Sequence, residues 1–280
     1  MEKRFICDNS INKSKLKYKE IKMHVKELLS LKHKIILVTG GAGNYGKCIV
    51  EGLAEADGTV ITASRNLKAG EKLVEDYKSV GLDVHAMRVD QSDHDSVLVL
   101  KKQIQQKFGR LDVFVNNAVS RPMAGYNEPI ENFAESMKVN ATGMMDILRE
   151  MAGLIAQCGG GSIINISSMM GMFGPDLSNY EGTDMGDMPP DYFFHRGGMI
   201  NLTRFLAKML ADKNIRTNCI SPGGLFNNQP KRFLENYCKK VPVKRMANND
   251  DIKGLAVLLA SDASAYINGE NILMDGGMHA

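Results

Sequence analysis

The sequence lacks the long apolar runs that insertion into a membrane requires. Across its 280 residues, no stretch approaches the ~18 consecutive apolar residues of a membrane-spanning helix. The first 34 residues also lack the apolar core of a secretory signal peptide. We therefore expect no membrane partner and a cytoplasmic location.

Cysteine is scarce, and no metal-type spacing is present. The five cysteines are scattered along the chain: Cys7, Cys48, Cys158, Cys219 and Cys238. This pattern favours reduced thiols over disulfides and predicts no metal centre. With 44% apolar and 24% charged residues and no internal repeat, the composition is that of an ordinary globular chain.

The chain as a whole also lacks a large excess of either charge, because its net charge of +3 comes from the N-terminal segment. Residues 1–34 contain ten Lys/Arg and four Asp/Glu, which is +6; the other residues contain 25 and 28, which is −3. We interpret residues 1–33 as a basic extension that is partly disordered or helical. A basic arm can bind nucleic acid, but this one has no Gly/Arg repeats and few aromatics, so no nucleic-acid partner is expected.

From residue 35 onward, short runs rich in valine and isoleucine alternate with segments of helical periodicity. The seven strand-like runs are KIILVTG, GTVITASR, LDVHAMRVD, LDVFVNNA, GSIINISS, IRTNCISPGG and ENILMDGG. The alternation predicts a single domain over residues 34–280: a doubly wound, Rossmann-type α/β fold with a parallel sheet of about seven strands and helices on both faces. Ligands of such sheets bind at the carboxyl ends of the strands, where several of these runs end in small or polar residues.

A glycine-rich loop, VTGGAGNYG, follows the first predicted strand and opens a helix. Glycines permit a tight turn and the close approach of a pyrophosphate, and the helix N-terminus supplies N–H donors. We predict a dinucleotide site at Gly40, Asn44, Tyr45 and Gly46. Asn44 stands in place of a middle glycine; asparagine tolerates left-handed backbone angles, so the turn need not be disturbed.

The end of the second predicted strand favours NADP(H) over NAD(H). An acidic residue at this place would bind the ribose hydroxyls of NAD and repel a phosphate. The sequence has Ser64 and Arg65 instead, and an arginine can pair with the 2′-phosphate of NADP through charge-assisted hydrogen bonds. A solvated surface charge is the alternative interpretation of Arg65.

Seven motifs in order resemble the short-chain dehydrogenase/reductase family over nearly all of residues 34–280. They are TGGAGNYG, NNAV, VNATG, IINISS, YFFHR, NCISPGG and INGENILMDGG. The resemblance implies interconversion of a ketone and a secondary alcohol on a small substrate, in a homotetramer or homodimer. It implies catalytic residues at Asn140, Ser168, Tyr192 and Arg196. It also implies cofactor contacts at Asp90, Gln91, Asn117, Ala118, Pro222, Gly223 and Asn227.

The chemistry requires a proton donor for the carbonyl oxygen, and the resemblance gives this role to Tyr192. An ordinary phenol has a pKa of about 10, too high for a base near neutrality, and a fixed cation lowers it. Position 196 shares a helix face with Tyr192 at i+4, so its charge can lie close by. Ser168 would hold the substrate oxygen, with Ser167 as the neighbouring alternative, and Asn140 would hold a water of the proton relay.

Position 196 departs from the family, which has lysine there, whereas this chain has arginine. Arginine keeps the positive charge but is bulkier and does not release a proton. Two functions remain open: a working enzyme with altered rate or pH dependence, and a catalytically weak or inactive dinucleotide-binding sensor or scaffold.

The spacing between Ser168 and Tyr192 is also longer than is common in the family. The extra segment is rich in Pro, Gly and acidic residues, which predicts a substrate loop at 169–191, followed later in the chain by a lid-like segment at 225–245. Tyr180 lies in this loop and is the rival to Tyr192, but no cation follows it at i+4. Similar inserts occur in relatives associated with sugars, so we expect a polar, possibly sugar-like substrate. Candidate substrate residues are Ser120, Arg121, Tyr180 and His195, and His195 fits a packed helix position equally well.

Overall fold

The computed structural model describes residues 23–280, and the expectation for residues 1–22 lies outside that range. The described residues contain seven strands: β1 Ile35–Thr39, β2 Thr59–Ser64, β3 Val84–Arg88, β4 Val113–Asn116, β5 Gly161–Ile166, β6 Ile215–Pro222 and β7 Asn271–Met274. They form one parallel sheet in the order β3-β2-β1-β4-β5-β6-β7. The strand order reverses between β1 and β4, which is where such sheets bind their ligands.

Helices connect the strands. They are α1 Val25–Leu29, α2 Asn44–Glu55, α3 Leu67–Lys78, α4 His94–Phe108, α5 Ile130–Met137, α6 Met144–Gln157, α7 Pro190–Met209, α8 Lys231–Lys240 and α9 Lys253–Ala260. A π-helical segment, Lys138–Gly143, joins α5 to α6. Within the described part of the chain, none of the helices combines the length and apolarity needed to cross a bilayer.

The central strands are largely apolar because both faces of the sheet are covered. Side chains alternate between the faces, so Leu37 of β1 packs into one core with α4, α6 and α7, while its neighbours Ile36 and Val38 pack into the other with α2 and α9. Phe114 and Val115 of β4 divide in the same way. This double burial explains why the sequence shows continuous apolar runs instead of strict alternation.

A third, smaller core joins residues 169–191, the predicted substrate loop, to residues 225–245, the predicted lid-like segment. Phe233 and Tyr237 of α8 pack with Val241 and Met246, and against them lie Met169 and Tyr180 from the loop. Beyond this core, Lys240 pairs with Asp176 at 2.6 Å. These two segments, which are not adjacent in the sequence, therefore form one structural unit over the carboxyl end of the sheet.

The predicted fold is confirmed: all seven strand-like runs form strands, and helices cover both faces of the parallel sheet. The cysteines at positions 48, 158, 219 and 238 are free thiols. Within residues 23–33, the short helix α1 starts with a capping box in which His24 and Glu27 each accept a backbone N–H.

Candidate active site

A cavity of about 960 Å³ lies at the carboxyl ends of the strands. Its wall runs from the glycine-rich loop, past the ends of β2 and β4, to the substrate loop and α8. Of the predicted site residues, all but Asn140 and His195 line it. The alternating pattern thus brings side chains from distant parts of the chain to one edge of the sheet.

The glycine-rich loop is held by close backbone contacts. Gly40 has a left-handed φ of +66°. A Cβ at Gly46 would lie 2.2 Å from the carbonyl oxygen of Gly40, so only glycine allows α2 to approach the loop this closely. Asn44 is the first residue of α2 and does not take a left-handed conformation. The turn forms with asparagine at this position, but the reason expected for it does not apply, because the left-handed angle of the loop lies at Gly40.

The first turn of α2 leaves its backbone donors open. The N-cap residue is Gly43, which has no side chain to accept an N–H, and no acidic residue occupies the turn. Unsatisfied N–H groups and the positive end of the helix dipole favour a phosphate at this position. The loop, the open helix end and the cavity together fit a dinucleotide.

Asn117 fixes the loop to the neighbouring strand. Its side-chain amide donates to the carbonyl oxygens of Thr39 and Gly40, at 3.0 and 3.1 Å. The hydroxyl of Thr39 accepts from the backbone N–H groups of Asn117 and Ala118, both at 3.2 Å. Asn117 was predicted as a cofactor contact, and the contacts found here position the loop. Sequence reasoning missed Thr39, although it ends the first strand.

The end of β2 offers an exposed guanidinium. Arg65 lines the cavity beside Asp90, and Ser64 donates to the carbonyl of Asn66, which caps α3. Burial raises the pKa of the Asp90 carboxyl, but hydrogen bonds from Ser92 and the charge of Arg65 lower it by more, so its pKa lies below the ordinary range. Asp90 is therefore an anion and accepts from Ser92 at 2.7 and 3.0 Å.

Gln91 lies beside Asp90 and holds the π-helical segment. Its amide donates to the carbonyl of Val139 at 3.0 Å. A π-helix leaves backbone groups without their usual partners, and Gln91 satisfies one of them. Gln91, which was predicted as a cofactor contact, also lines the cavity.

Tyr192 lies between two guanidinium groups. The Cζ atom of Arg196 is 5.1 Å from its ring centroid, and that of Arg121 is 4.8 Å away. Burial raises the pKa of the Tyr192 phenol, but the charges of Arg196 and Arg121, together with the Ser168 hydroxyl, lower it by more. The net pKa is below that of an ordinary phenol, as the i+4 cation at position 196 predicts.

Arg196 is buried, and its guanidinium is held by the protein. One terminal nitrogen donates to the carbonyl oxygen of Ile166 at the end of β5 and approaches the sulfur of Met199 at 3.9 Å. The Nε atom has no hydrogen-bond partner among the described residues. Arg196 therefore stays a fixed positive charge next to the phenol.

The two adjacent serines point in opposite directions. Ser167 donates to the carbonyl oxygen of Arg196 at 2.9 Å and so ties β5 to α7. Ser168 is 8% exposed, and its hydroxyl accepts from the N–H of Met170 at 3.2 Å, which leaves its proton free to donate. The extended backbone that follows β5 thus places Ser168 beside Tyr192.

Asn140 lies behind the cavity wall in the π-helical segment. Its side chain donates to the carbonyl of Ser120 at 2.7 Å and accepts from the N–H of Ser120 at 2.9 Å. It also donates to Ser136 at 3.0 Å, and Ser136 donates to the buried carboxylate of Asp191. The side chain of Asn140 therefore holds the loop after β4, and both of its amide hydrogens are used in doing so.

His195 does not reach the cavity. It is 4% exposed, stands edge-on to Tyr192 with centroids 5.4 Å apart, and has no hydrogen-bond partner on either ring nitrogen among residues 23–280. Burial, with the charges of Arg196 and Arg121, lowers the pKa of His195 to about 3. It is a neutral packed helix residue, which was the alternative to a substrate contact.

The rival tyrosine lies in a different environment. Tyr180 packs on Phe233 with centroids 5.2 Å apart, and burial raises its pKa. It lines the substrate side of the cavity, together with Ser120 and Arg121. Nothing in its surroundings favours a phenolate.

The far wall of the cavity includes residues that sequence reasoning missed. Tyr237 accepts from the N–H of Gly224 at 2.7 Å and so holds the segment after β6. His279 stacks on Phe173 of the substrate loop at 3.8 Å and pairs with Asp275 at 2.8 Å. Pro222, Gly223 and Asn227, which were predicted as cofactor contacts, also line the cavity. An aromatic residue on an amphipathic helix gives no local signal of a cavity position.

Known proteins with related sequences cover nearly the whole chain. The family pattern described as enoyl-(acyl carrier protein) reductase matches residues 41–279. The flagellin modification protein A of Campylobacter coli is 31% identical over 88% of this chain and 98% of that protein. The 2-dehydro-3-deoxy-D-gluconate 5-dehydrogenase of Pseudoalteromonas atlantica is 30% identical over 90% of this chain and 98% of that protein.

Solved structures agree with these matches. A short-chain dehydrogenase from Leptospira borgpetersenii, solved with bound NAD⁺, is similar with a TM-score of 0.80 and 28% identity. The match covers 94% of this chain and 98% of that structure.

Proposed function

The chain belongs to the short-chain dehydrogenase/reductase family of NAD(P)-dependent oxidoreductases, and we propose that it interconverts a ketone and a secondary alcohol on a small polar substrate, with Tyr192 as the acid and base. The observation that carries this proposal is the phenol of Tyr192 between two guanidinium charges on the wall of the cavity. Bound nicotinamide would supply the hydride in reduction and accept it in oxidation.

The described residues can donate and accept the proton that the reaction moves to and from the substrate oxygen. In reduction, negative charge builds on the carbonyl oxygen, and Tyr192 donates a proton to it. In oxidation, the phenolate takes the hydroxyl proton, and Arg196 stabilises that phenolate. Ser168 lies next to the Tyr192 hydroxyl. Its own hydroxyl can therefore donate to the substrate oxygen that Tyr192 protonates. Asn140 acts as a positioning residue through Ser120.

The experiment is the Tyr192→Phe variant, because phenylalanine keeps the ring and removes the proton. We expect kcat/KM to fall on the order of 10²–10⁴-fold in both directions, while the affinity for the dinucleotide is unchanged. Absorbance at 340 nm on a panel of keto-sugars, polyols and sugar acids measures kcat/KM. Fluorescence titration measures the affinity for the dinucleotide. Activity that survives the substitution would remove Tyr192 as the acid and base.

We propose NADP(H) as the preferred cofactor, because Arg65 presents an exposed guanidinium at the end of β2. In Arg65→Gln, we expect the Kd for NADPH to rise about tenfold or more, since charge-assisted bonds to a phosphate are lost. The Kd for NADH should change little. Titration of both cofactors into both proteins tests this, and equal losses for the two cofactors would contradict it.

The alternative function, a dinucleotide-binding sensor or scaffold with little turnover, follows from Arg196. Its guanidinium is tied to the carbonyl of Ile166 and does not release a proton. Arg196→Lys separates the two functions on the same substrate panel. Turnover by the natural protein supports the oxidoreductase, whereas turnover by the lysine variant alone supports the sensor.

Two further properties belong to this proposal. We propose a homo-oligomer, because the outer face of α7 leaves large apolar side chains exposed, among them Phe194 and Phe205. We also propose a cytoplasmic location, because the described cysteines are free thiols.

A further inference from the structure

Arg121 occupies a fixed place on the substrate side of the cavity. It follows Ser120, whose backbone N–H and carbonyl are both bound by the side chain of Asn140. The residue before Arg121 therefore cannot move freely, although Arg121 itself is exposed. Its Cζ atom lies 4.8 Å from the ring centroid of Tyr192, so its charge stands next to the proposed acid and base.

The charge of Arg121 has no counter-ion among residues 23–280. Its guanidinium forms neither an ion pair nor a hydrogen bond there, whereas Asp176 and His279 of the cavity wall both have side-chain partners. Asp176 is paired with Lys240, and His279 with Asp275. Arg196, the second cation at this end, is buried and already donates to a backbone carbonyl. Of the two cations next to Tyr192, Arg121 is therefore the one whose donors are open to a ligand.

The neighbours of Arg121 do not cancel its charge. His195 is neutral, since its pKa is about 3, and Asp191 is turned toward Ser136. Asp187 lines the cavity but is exposed and lies against Gly125. This end of the cavity therefore attracts an anion, and one open guanidinium matches a group with a single negative charge.

We propose that Arg121 binds a carboxylate of the substrate, so that the substrate is a hydroxy or keto acid and not a neutral sugar. The planar guanidinium matches a carboxylate through two parallel N–H···O bonds. Its position beside Tyr192 places that carboxylate within a few carbon atoms of the reacting carbonyl. This inference rests on the proposed oxidoreductase function and names its substrate class.

The test compares an acid with its neutral amide. D-Gluconate and D-gluconamide are titrated into the full chain loaded with NADPH, and binding is read from nicotinamide fluorescence. We expect gluconate to bind at least about tenfold more tightly. Arg121→Gln should abolish the difference and Arg121→Lys should restore part of it. Arg204→Gln, a matched substitution of an exposed arginine on α7, should leave it unchanged.

Several results would overturn the proposal. Equal binding of acid and amide by the natural protein is one, and an unchanged preference in Arg121→Gln is another. Tighter binding of D-glucose 6-phosphate than of gluconate would overturn the carboxylate assignment. A preference for the acid without turnover of any alcohol would keep Arg121 as the receptor and remove the oxidoreductase function. Turnover of gluconate with the same KM in Arg121→Gln as in the natural protein would keep the oxidoreductase function and remove Arg121 as the carboxylate receptor.

Discussion

At the scale of single residues, the pKa of Tyr192 depends on the charge of Arg196 beside it. The phenol is buried, which alone would raise its pKa, and the adjacent guanidinium charges reverse that effect. The i+4 spacing made the Arg196 partner predictable from the sequence. The second cation, Arg121, was considered only as a substrate residue, because 71 positions separate it from Tyr192.

The pair gives a prediction for pH dependence. Oxidation needs the phenolate, so its kcat/KM rises with pH through the pKa of Tyr192 and then levels off. Arg196→Met removes a charge that lowers this pKa, so the rise should move to higher pH, and kcat/KM at pH 7 should fall on the order of tenfold or more. Arg196→Lys retains the charge and serves as the control. A pH–rate profile of the three proteins measures this, and superimposable profiles would contradict it.

At the scale of secondary-structure elements, the glycine-rich loop depends on β1, α2 and the end of β4, which meet in it. The loop follows β1, opens α2, and is tied to the end of β4 by Asn117. The approach of α2 depends on Gly46, where a Cβ would clash with the carbonyl of Gly40. Sequence spacing predicts the loop, but the tie from Asn117 depends on β1 and β4 being neighbours in the sheet.

The variant Gly46→Ala therefore tests whether cofactor binding requires the close approach of α2 to the glycine-rich loop. We expect the loop to be displaced and the Kd for the dinucleotide to rise about tenfold or more, measured by fluorescence titration. Gly153→Ala in α6 is the matched control, because no atom lies within 4 Å of its added Cβ. That control should leave the Kd unchanged and raise the free energy of unfolding by roughly 0.5–1 kcal/mol. Equal cofactor affinity in both variants would show that the close approach is not required.

At the scale of the whole molecule, the outer face of α7 leaves large apolar side chains exposed. Phe194, Phe205 and Met209 are 65%, 53% and 56% exposed, and their spacing places them along one side of the helix. Large apolar side chains in a row on one helix are typical of an interface. The same helix carries Tyr192 and Arg196 on its inner face, so association would also support the site.

Phe205→Glu tests this proposal. A carboxylate in the centre of a buried apolar contact is strongly unfavourable, so we expect dissociation into monomers, measured by size-exclusion chromatography with light scattering. Tyr266→Glu is the control, because Tyr266 is fully exposed and lies outside α7. A natural protein that is already monomeric, or a Phe205→Glu oligomer of unchanged size, would contradict the assignment.

The sequence by itself determined the order of strands and helices, the glycine-rich loop and the pairing of Tyr192 with a cation one helical turn away. These depend on apolar periodicity, turn chemistry and helix geometry, which act between residues close in the chain. Tertiary structure alone decided that Arg121 also lies close to the phenol, that Asn140 binds Ser120 behind the cavity wall, and that His195 is buried. Those contacts form only when packing of both faces of the sheet brings distant segments together, and no local pattern encodes the resulting distances.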